Sequence, residues 1–182
     1  MKRVTINGRE IGPDRPPYVI AEMSANHNGS LDRALAIVAA AKSAGADAIK
    51  LQTYRADTIT LDHDGPEFMV RGGLWDGSSL YELYQKAAMP WEWHEPLFKR
   101  AKDLGITIFS SAFDFTAVDL LERMETPAYK VASLEVCDIP LIQRIAANGK
   151  PMILSTGASQ LGEISEAVEA ARAAGGDQLI LL

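Results

Sequence analysis

One cysteine in 182 residues, Cys137, rules out an internal disulfide, and a reduced cytosol is the natural compartment for such a chain. The thiol can act as a nucleophile or pack as a small buried hydrophobe; packing is the expectation. No apolar run is long enough to span a bilayer. The opening Met1-Lys2-Arg3-Val4-Thr5 lacks the apolar core of a signal peptide. Basic residues are in deficit: 18 lysines and arginines face 24 aspartates and glutamates, a formal net charge of −6. That balance argues against a general nucleic-acid binder, but not against an anionic small molecule held by a few local lysines. The three histidines do not stand at metal-ligand spacing. His27 is expected to hydrogen-bond at a helix entry, and His63 and His94 to lie at the surface or in packing. There is no GxGxxG and no P-loop, so neither phosphate-cradling turn is signalled.

What the chain does have is a repeated unit. The first copy opens with Tyr18-Val19-Ile20-Ala21-Glu22, a short apolar run that ends on a carboxylate. The polar turn Asn26-His27-Asn28-Gly29 follows, and then Ser30, a good helix cap. Leu31, Ala34, Leu35, Val38 and Ala41 recur at helical spacing as far as Gly45. Further strands are predicted at 48–52, 106–110, 128–132, 151–155 and 178–182. Helices are predicted over 80–87, 90–104, 116–124, from Asp138 to Gly149, and over 161–174. Alternation of strand and helix predicts an α/β fold with a parallel sheet. Nearly every strand exits into polar residues, which favours a (β/α)8 TIM barrel, where all exits converge, over a doubly wound sheet. Six strands are legible where a closed barrel takes eight. The expectation is therefore a fragment of a longer protein, an incomplete barrel of about six β/α units with an exposed edge prone to association. Asn7-Gly8 between Lys2–Ile6 and Arg9–Ile11 signals a hairpin, giving a hairpin at 1–12 and the barrel segment at 13–182. The irregular stretch 55–79 carries Phe68, Met69, Leu74 and Trp75, and reads as a folded lid.

On the barrel reading, Glu22, Lys50, Gln52, Ser110, Lys130, Ser133, Glu135 and Ser155 gather at one end of the sheet. Alternation puts Lys50 with Gln52, and Lys130 with Ala132. A lysine inside a sheet covered on both sides needs an anion. Either Lys50 and Lys130 pair with Glu22 and Glu135, or the group is a socket for a ligand's phosphate and carboxylate. Glu22 is likewise either a counter-ion or a general acid/base. Trp91 and Trp93 read as packing aromatics, and Trp75 as a lid residue able to cover a ligand.

These residues carry a resemblance. Ile20-Ala21-Glu22-Met23-Ser24-Ala25-Asn26-His27-Asn28-Gly29 resembles the opening IAE-x-x-x-NHNG motif of the sialic acid synthase family. Asp47–Gln52, Tyr129–Ser133 and Leu154–Gly157 are similar to its DA-x-K-x-Q, YK-x-AS and STG motifs. Gly72–Asp76, Leu80–Tyr84 and Glu92-Trp93-His94 resemble its pseudaminic acid synthase branch. The resemblance implies a cytoplasmic transferase that condenses phosphoenolpyruvate with an acylated amino sugar. Carbon 3 attacks the aldehyde, water adds at the oxocarbenium carbon, and phosphate leaves with C–O cleavage. The product is a nine-carbon 2-keto acid. It also implies that Lys50, Gln52, Lys130, Ser133 and Ser155 hold phosphoenolpyruvate, together with Ser111 or its neighbour Ser110. Glu22 would act as acid/base, and Glu135 and Trp75 would face the sugar. The family's divalent metal, Mn2+ or Mg2+, would have its ligands beyond this chain. A C-terminal antifreeze-like domain would complete the partner's site in a homodimer. Two alternatives stay open: a Schiff-base aldolase using Lys130, and a non-catalytic anion-binding remnant.

Overall fold

The computed structural model describes residues 3–182, apart from the side chain of Leu74. The expected strand start at Lys2 and the lid role of Leu74 lie outside the described residues. Strands β1 (Val4–Ile6) and β2 (Arg9–Ile11) form an antiparallel hairpin. Asn7 and Gly8 turn it with φ of 48° and 81°, the left-handed pair that a tight hairpin turn requires.

The chain then alternates. β3 (Ile20–Glu22) leads to α1 (Leu31–Ser43), and β4 (Ala48–Thr53) to α2 (Ala56–Ile59), α3 (Leu80–Ala87) and α4 (His94–Leu104). β5 (Thr107–Ala112) leads to α5 (Phe115–Arg123), and β6 (Tyr129–Val131) to α6 (Ile139–Ala146). β7 (Met152–Leu154), α7 (Leu161–Ala173) and β8 (Leu179–Leu181) follow. The six strands β3 to β8 pair in sequence order, all parallel, in one curled sheet. The order is that of consecutive β/α units of a barrel, each crossover bringing its helix to the outside. Polar caps start the helices: Ser30 accepts from the Arg33 N–H, Asp114 from Ala117 and Asp138 from Leu141.

Three apolar clusters hold the layers. Ile49, Leu51 and Ile108 face outward onto α1 and α4. Tyr129, Val131, Met152 and Leu154 face outward onto α5, α6 and α7. The third cluster lies on the inner face: Ala48, Phe109, Ala128 and Ile153 meet Val4 and Ile6 of the hairpin. The hairpin thus plugs the entry end of the curled sheet. The inner face is largely apolar at the floor, where Thr107 accepts from Asn7 of the hairpin, and charged at the strand exits.

Three expectations change. The strand expected to end at Ser110 continues through Ser111 to Ala112. Cys137 is exposed rather than buried, because a 3-10 turn over Leu134–Cys137 sends Val136 inward instead. Trp91–Trp93 is a 3-10 turn ahead of α4 rather than part of the helix. Of the two places expected for His94, surface or packing, the structure takes packing: it is wholly buried and hydrogen-bonded.

Candidate active site

Register builds the site. In a parallel sheet, residues paired across strands point to the same face. Glu22 pairs with Lys50, Gln52 with Ser111, and Ser111 with Lys130. All five therefore project from the inner face near the exits, above the apolar floor. Lys50 forms an ion pair with Glu22 and donates to Ser111 Oγ at 3.4 Å. Glu22 also accepts from the Ser24 backbone N–H at 3.0 Å.

Lys130 is buried, only 7% exposed. Its ammonium donates to Ser155 Oγ at 2.5 Å and to the Val131 carbonyl at 2.6 Å. Among the described residues no carboxylate lies within ion-pair distance of it. Burial, and then the neighbouring Lys50 charge, push its pKa down to about 8, against the partial support of Glu135 and Glu22. The pairing of both lysines with protein carboxylates is thus half realised: Lys50 has Glu22, while Lys130 has only neutral oxygens. Two ammonium groups beside one contacting carboxylate leave the exit face short of negative charge, the condition that favours an anionic ligand.

Beside this cluster is a cleft of about 420 Å³. Gln52, Ser133, Glu135 and Trp75 line it, as do Ser24, Tyr54, Leu83, Tyr84 and Phe113. Gln52 belongs to both the cluster and the cleft. Glu135 Oε2 is buried there without a hydrogen-bond partner. Burial raises its pKa, with Lys130 pulling the other way. Tyr54 packs edge-on to Tyr84 and Phe113, and its burial pushes its pKa up to about 12, so it is a neutral phenol. Trp75 sits at the rim, 36% exposed.

Of the two serines left open, the structure brings Ser111 into the cluster and turns Ser110 away. Ser110 shares the outer face with Thr53, and the two hydroxyls lie 2.7 Å apart. Thr53 Oγ1 also meets His94 Nε2 at 2.8 Å, and His94 Nδ1 meets the Trp91 carbonyl at 3.1 Å. Since a carbonyl only accepts, Nδ1 carries the proton, and Nε2 accepts from Thr53. Burial lowers the His94 pKa, consistent with this neutral form. Ser110 is therefore part of a polar seam behind the sheet, because strand alternation allows only one of two adjacent serines to face the site. His27 is buried, accepts from the Gly29 N–H at 3.2 Å and packs edge-on to Trp93, as a residue shaping the turn after β3.

Reading the sequence for strand ends missed Ser24, Tyr54 and Phe113. Each stands two residues beyond an inward residue, Glu22, Gln52 and Ser111 respectively. Continuing the alternation past the strand would have found them.

Among the described residues no group of three or more His, Cys, Asp or Glu side chains converges as metal ligands do. The ligands that the resemblance implies for its divalent ion are expected beyond this chain.

Fold and site together define a β/α-barrel protein with a cationic, hydroxyl-lined site at its strand exits. The chain belongs to the NeuB family, whose model matches residues 37–182. It is 47% identical over 156 residues to the pseudaminic acid synthase of Campylobacter jejuni, covering 86% of this chain and 46% of that protein. It is 44% identical over 168 residues to the pseudaminic acid synthase of Helicobacter pylori, covering 92% and 49%. The crystal structure of N-acetylneuraminic acid synthetase from Leptospira borgpetersenii, in complex with citrate, superposes with a TM-score of 0.85. Its sequence identity is 27%, over 99% of this chain and 58% of that one. The chain spans about half the length of the curated relatives it matches.

Proposed function

We propose that this chain forms the phosphoenolpyruvate end, and part of the sugar end, of a pseudaminic acid synthase. In the active cytoplasmic enzyme, a homodimer, further β/α units and a C-terminal domain continue the segment. The observation that carries the reading is Lys130: a buried ammonium with no carboxylate in contact among the described residues, 2.5 Å from Ser155 Oγ. Lys50, Lys130, Gln52, Ser111, Ser133 and Ser155 hold the phosphate and carboxylate. Carbon 3 of phosphoenolpyruvate attacks the aldehyde of the sugar, forming the new C–C bond and leaving an oxocarbenium centre at carbon 2. Water adds there with Glu22 handling its proton, and the C–O bond to phosphate breaks to give the 2-keto acid. Glu135 and Trp75 face the sugar.

Tyr54, Trp75, Leu83, Tyr84 and Phe113 give the cleft an apolar wall. Such a wall suits a 6-deoxy sugar with two acetamido groups, because a hydroxyl buried against it would lack partners. The expected substrate is 2,4-diacetamido-2,4,6-trideoxy-altrose, preferred over N-acetylmannosamine by about 10²-fold, the scale on which an apolar pocket rejects an added hydroxyl. Specificity constants measured side by side in the continued enzyme test this. Equal or better use of N-acetylmannosamine would move the chain to the N-acetylneuraminate branch. The aldolase reading has one observation in its favour, the lowered pKa of Lys130. Borohydride trapping of a pyruvate adduct on Lys130 would establish that reading, and release of phosphate from phosphoenolpyruvate would exclude it.

A further inference from the structure

Ser24 lines the cleft with φ of 49°. That is the left-handed region, which a residue with a side chain enters at an energetic cost. Such a residue persists where its surroundings over-determine it. Two hydrogen bonds do so here. The backbone N–H of Ser24 donates to Glu22 Oε1 at 3.0 Å, and its hydroxyl donates to Gln52 Oε1 at 3.2 Å.

The second bond bears on how Gln52 is used: here the Ser24 hydroxyl donates to the amide oxygen. A carboxamide has one accepting end and one donating end. With the Ser24 hydroxyl on the oxygen, the –NH2 is the free end, and no acceptor among the described residues takes it. Gln52 shares the inner face with Lys50 and pairs with Ser111, so its N–H donors join the cationic cluster. A flipped amide would turn its oxygen toward the same anion and repel it. Glycine would adopt this backbone without strain and would keep the N–H that serves Glu22. What a serine adds at this position is the hydroxyl.

We infer that Ser24 is a positioning residue whose hydroxyl locks the Gln52 amide with its –NH2 turned toward the anion. The inference rests on the anion-site reading above. Ser24→Gly separates backbone from hydroxyl. Thermal unfolding of the variant is expected at the wild-type temperature or above it, because the strain is relieved. Calorimetry with phosphoenolpyruvate on the 182-residue chain is expected to show affinity about 5- to 10-fold weaker, the scale of one neutral hydrogen bond. A merely structural serine would not weaken binding while leaving stability intact. In a Gln52→Leu background, Ser24→Gly is expected to change affinity no further, since the hydroxyl acts through Gln52. Unchanged affinity in Ser24→Gly, or a full further loss in the Gln52→Leu background, would overturn the inference.

A second readout needs no ligand. The Gln52 side-chain amide signals in nuclear magnetic resonance, assigned by their loss in Gln52→Leu, are expected to be well dispersed in the wild type. In Ser24→Gly they should move toward the averaged position of a free glutamine. No movement would overturn the inference by itself. If the wild-type chain fails to bind phosphoenolpyruvate, the anion-site reading falls, and the amide signals still decide the role of Ser24.

Discussion

Lys130 concentrates the chemistry of the site in one titration. Its folded-state pKa, about 8, lies below the ordinary 10.5, with burial as the main cause and Lys50 second. Between those two values the unfolded chain binds more protons than the folded one, so stability rises with pH across that window. Below pH 8 the cost of the buried ammonium is present in full. Lys130→Met removes the titration. The stability of the wild type relative to this variant is therefore expected to improve as pH rises from 7 to 10, in urea unfolding at each pH. A constant difference would mean that the folded lysine titrates normally. The same variant, and Lys50→Met, are expected to weaken phosphoenolpyruvate binding by roughly 1.5–3 kcal/mol each, the scale of a charge-assisted hydrogen bond. Glu22→Gln, in contrast, should leave that affinity nearly unchanged and cut turnover of the continued enzyme by roughly 10²–10⁴-fold, the usual contribution of a general acid/base. Near-normal turnover would return Glu22 to the role of counter-ion for Lys50.

At the scale of elements, two strands and one helix are tied by the seam His94–Thr53–Ser110 behind the site. Thr53 and Ser110 stand next to Gln52 and Ser111 in the chain but face the other way. His94→Leu keeps the bulk at the start of α4 and removes both the acceptor for Thr53 and the donor to Trp91. A loss of about 1–3 kcal/mol is expected at pH 7, the penalty of buried groups left unpaired. Burial lowers the His94 pKa below 6.5, so the unfolded state binds the extra proton first as pH falls. The stability that neutral His94 brings is full above about 6.5 and declines below it. The variant should therefore lose less stability than the wild type between pH 7 and pH 5, read by urea unfolding at both values; a parallel decline would show that folded His94 titrates as it does in the unfolded chain. This seam was not legible in the sequence. Period-2 alternation assigns faces correctly once a strand's length is known, but the apparent stop at Ser110-Ser111 hid two further residues of β5. With that end misplaced, Ser110 and Ser111 stood as equal alternatives, and His94 had no visible partner because Thr53 and Ser110 are brought to it only by the crossover.

At the scale of the molecule, the sequence was most informative where pattern and topology coincide. Helix-closing glycines and short apolar strands marked the six parallel strands and their intervening helices in order, and the in-strand lysines marked the exit face. The cleft was less legible, because its wall joins Tyr54 and Phe113, just past the ends of β4 and β5, to Tyr84 of α3, and their meeting depends on how the 55–79 segment folds back. That segment closes on itself: Met69 bridges to Ser79, and the Leu80 N–H donates to the Phe68 carbonyl. Among the described residues, sheet order leaves β3 and β8 each with a neighbour on one side only. Apolar groups stand beside both edges, Val19 at 54% exposed, Leu181 at 49% and Leu182 at 65%. Unpaired strand edges with apolar flanks are templates for pairing with another chain. The 182-residue chain alone is therefore expected to self-associate as concentration rises, in sedimentation velocity runs from low to high micromolar. Leu181→Lys, which places a charge on the outer face of β8, should shift that equilibrium toward monomer without altering phosphoenolpyruvate binding, because Leu181 points away from the exit cluster. A single monomeric boundary at every concentration, with a cooperative melt, would show that the six strands, their helices and the hairpin plug make a self-sufficient fold.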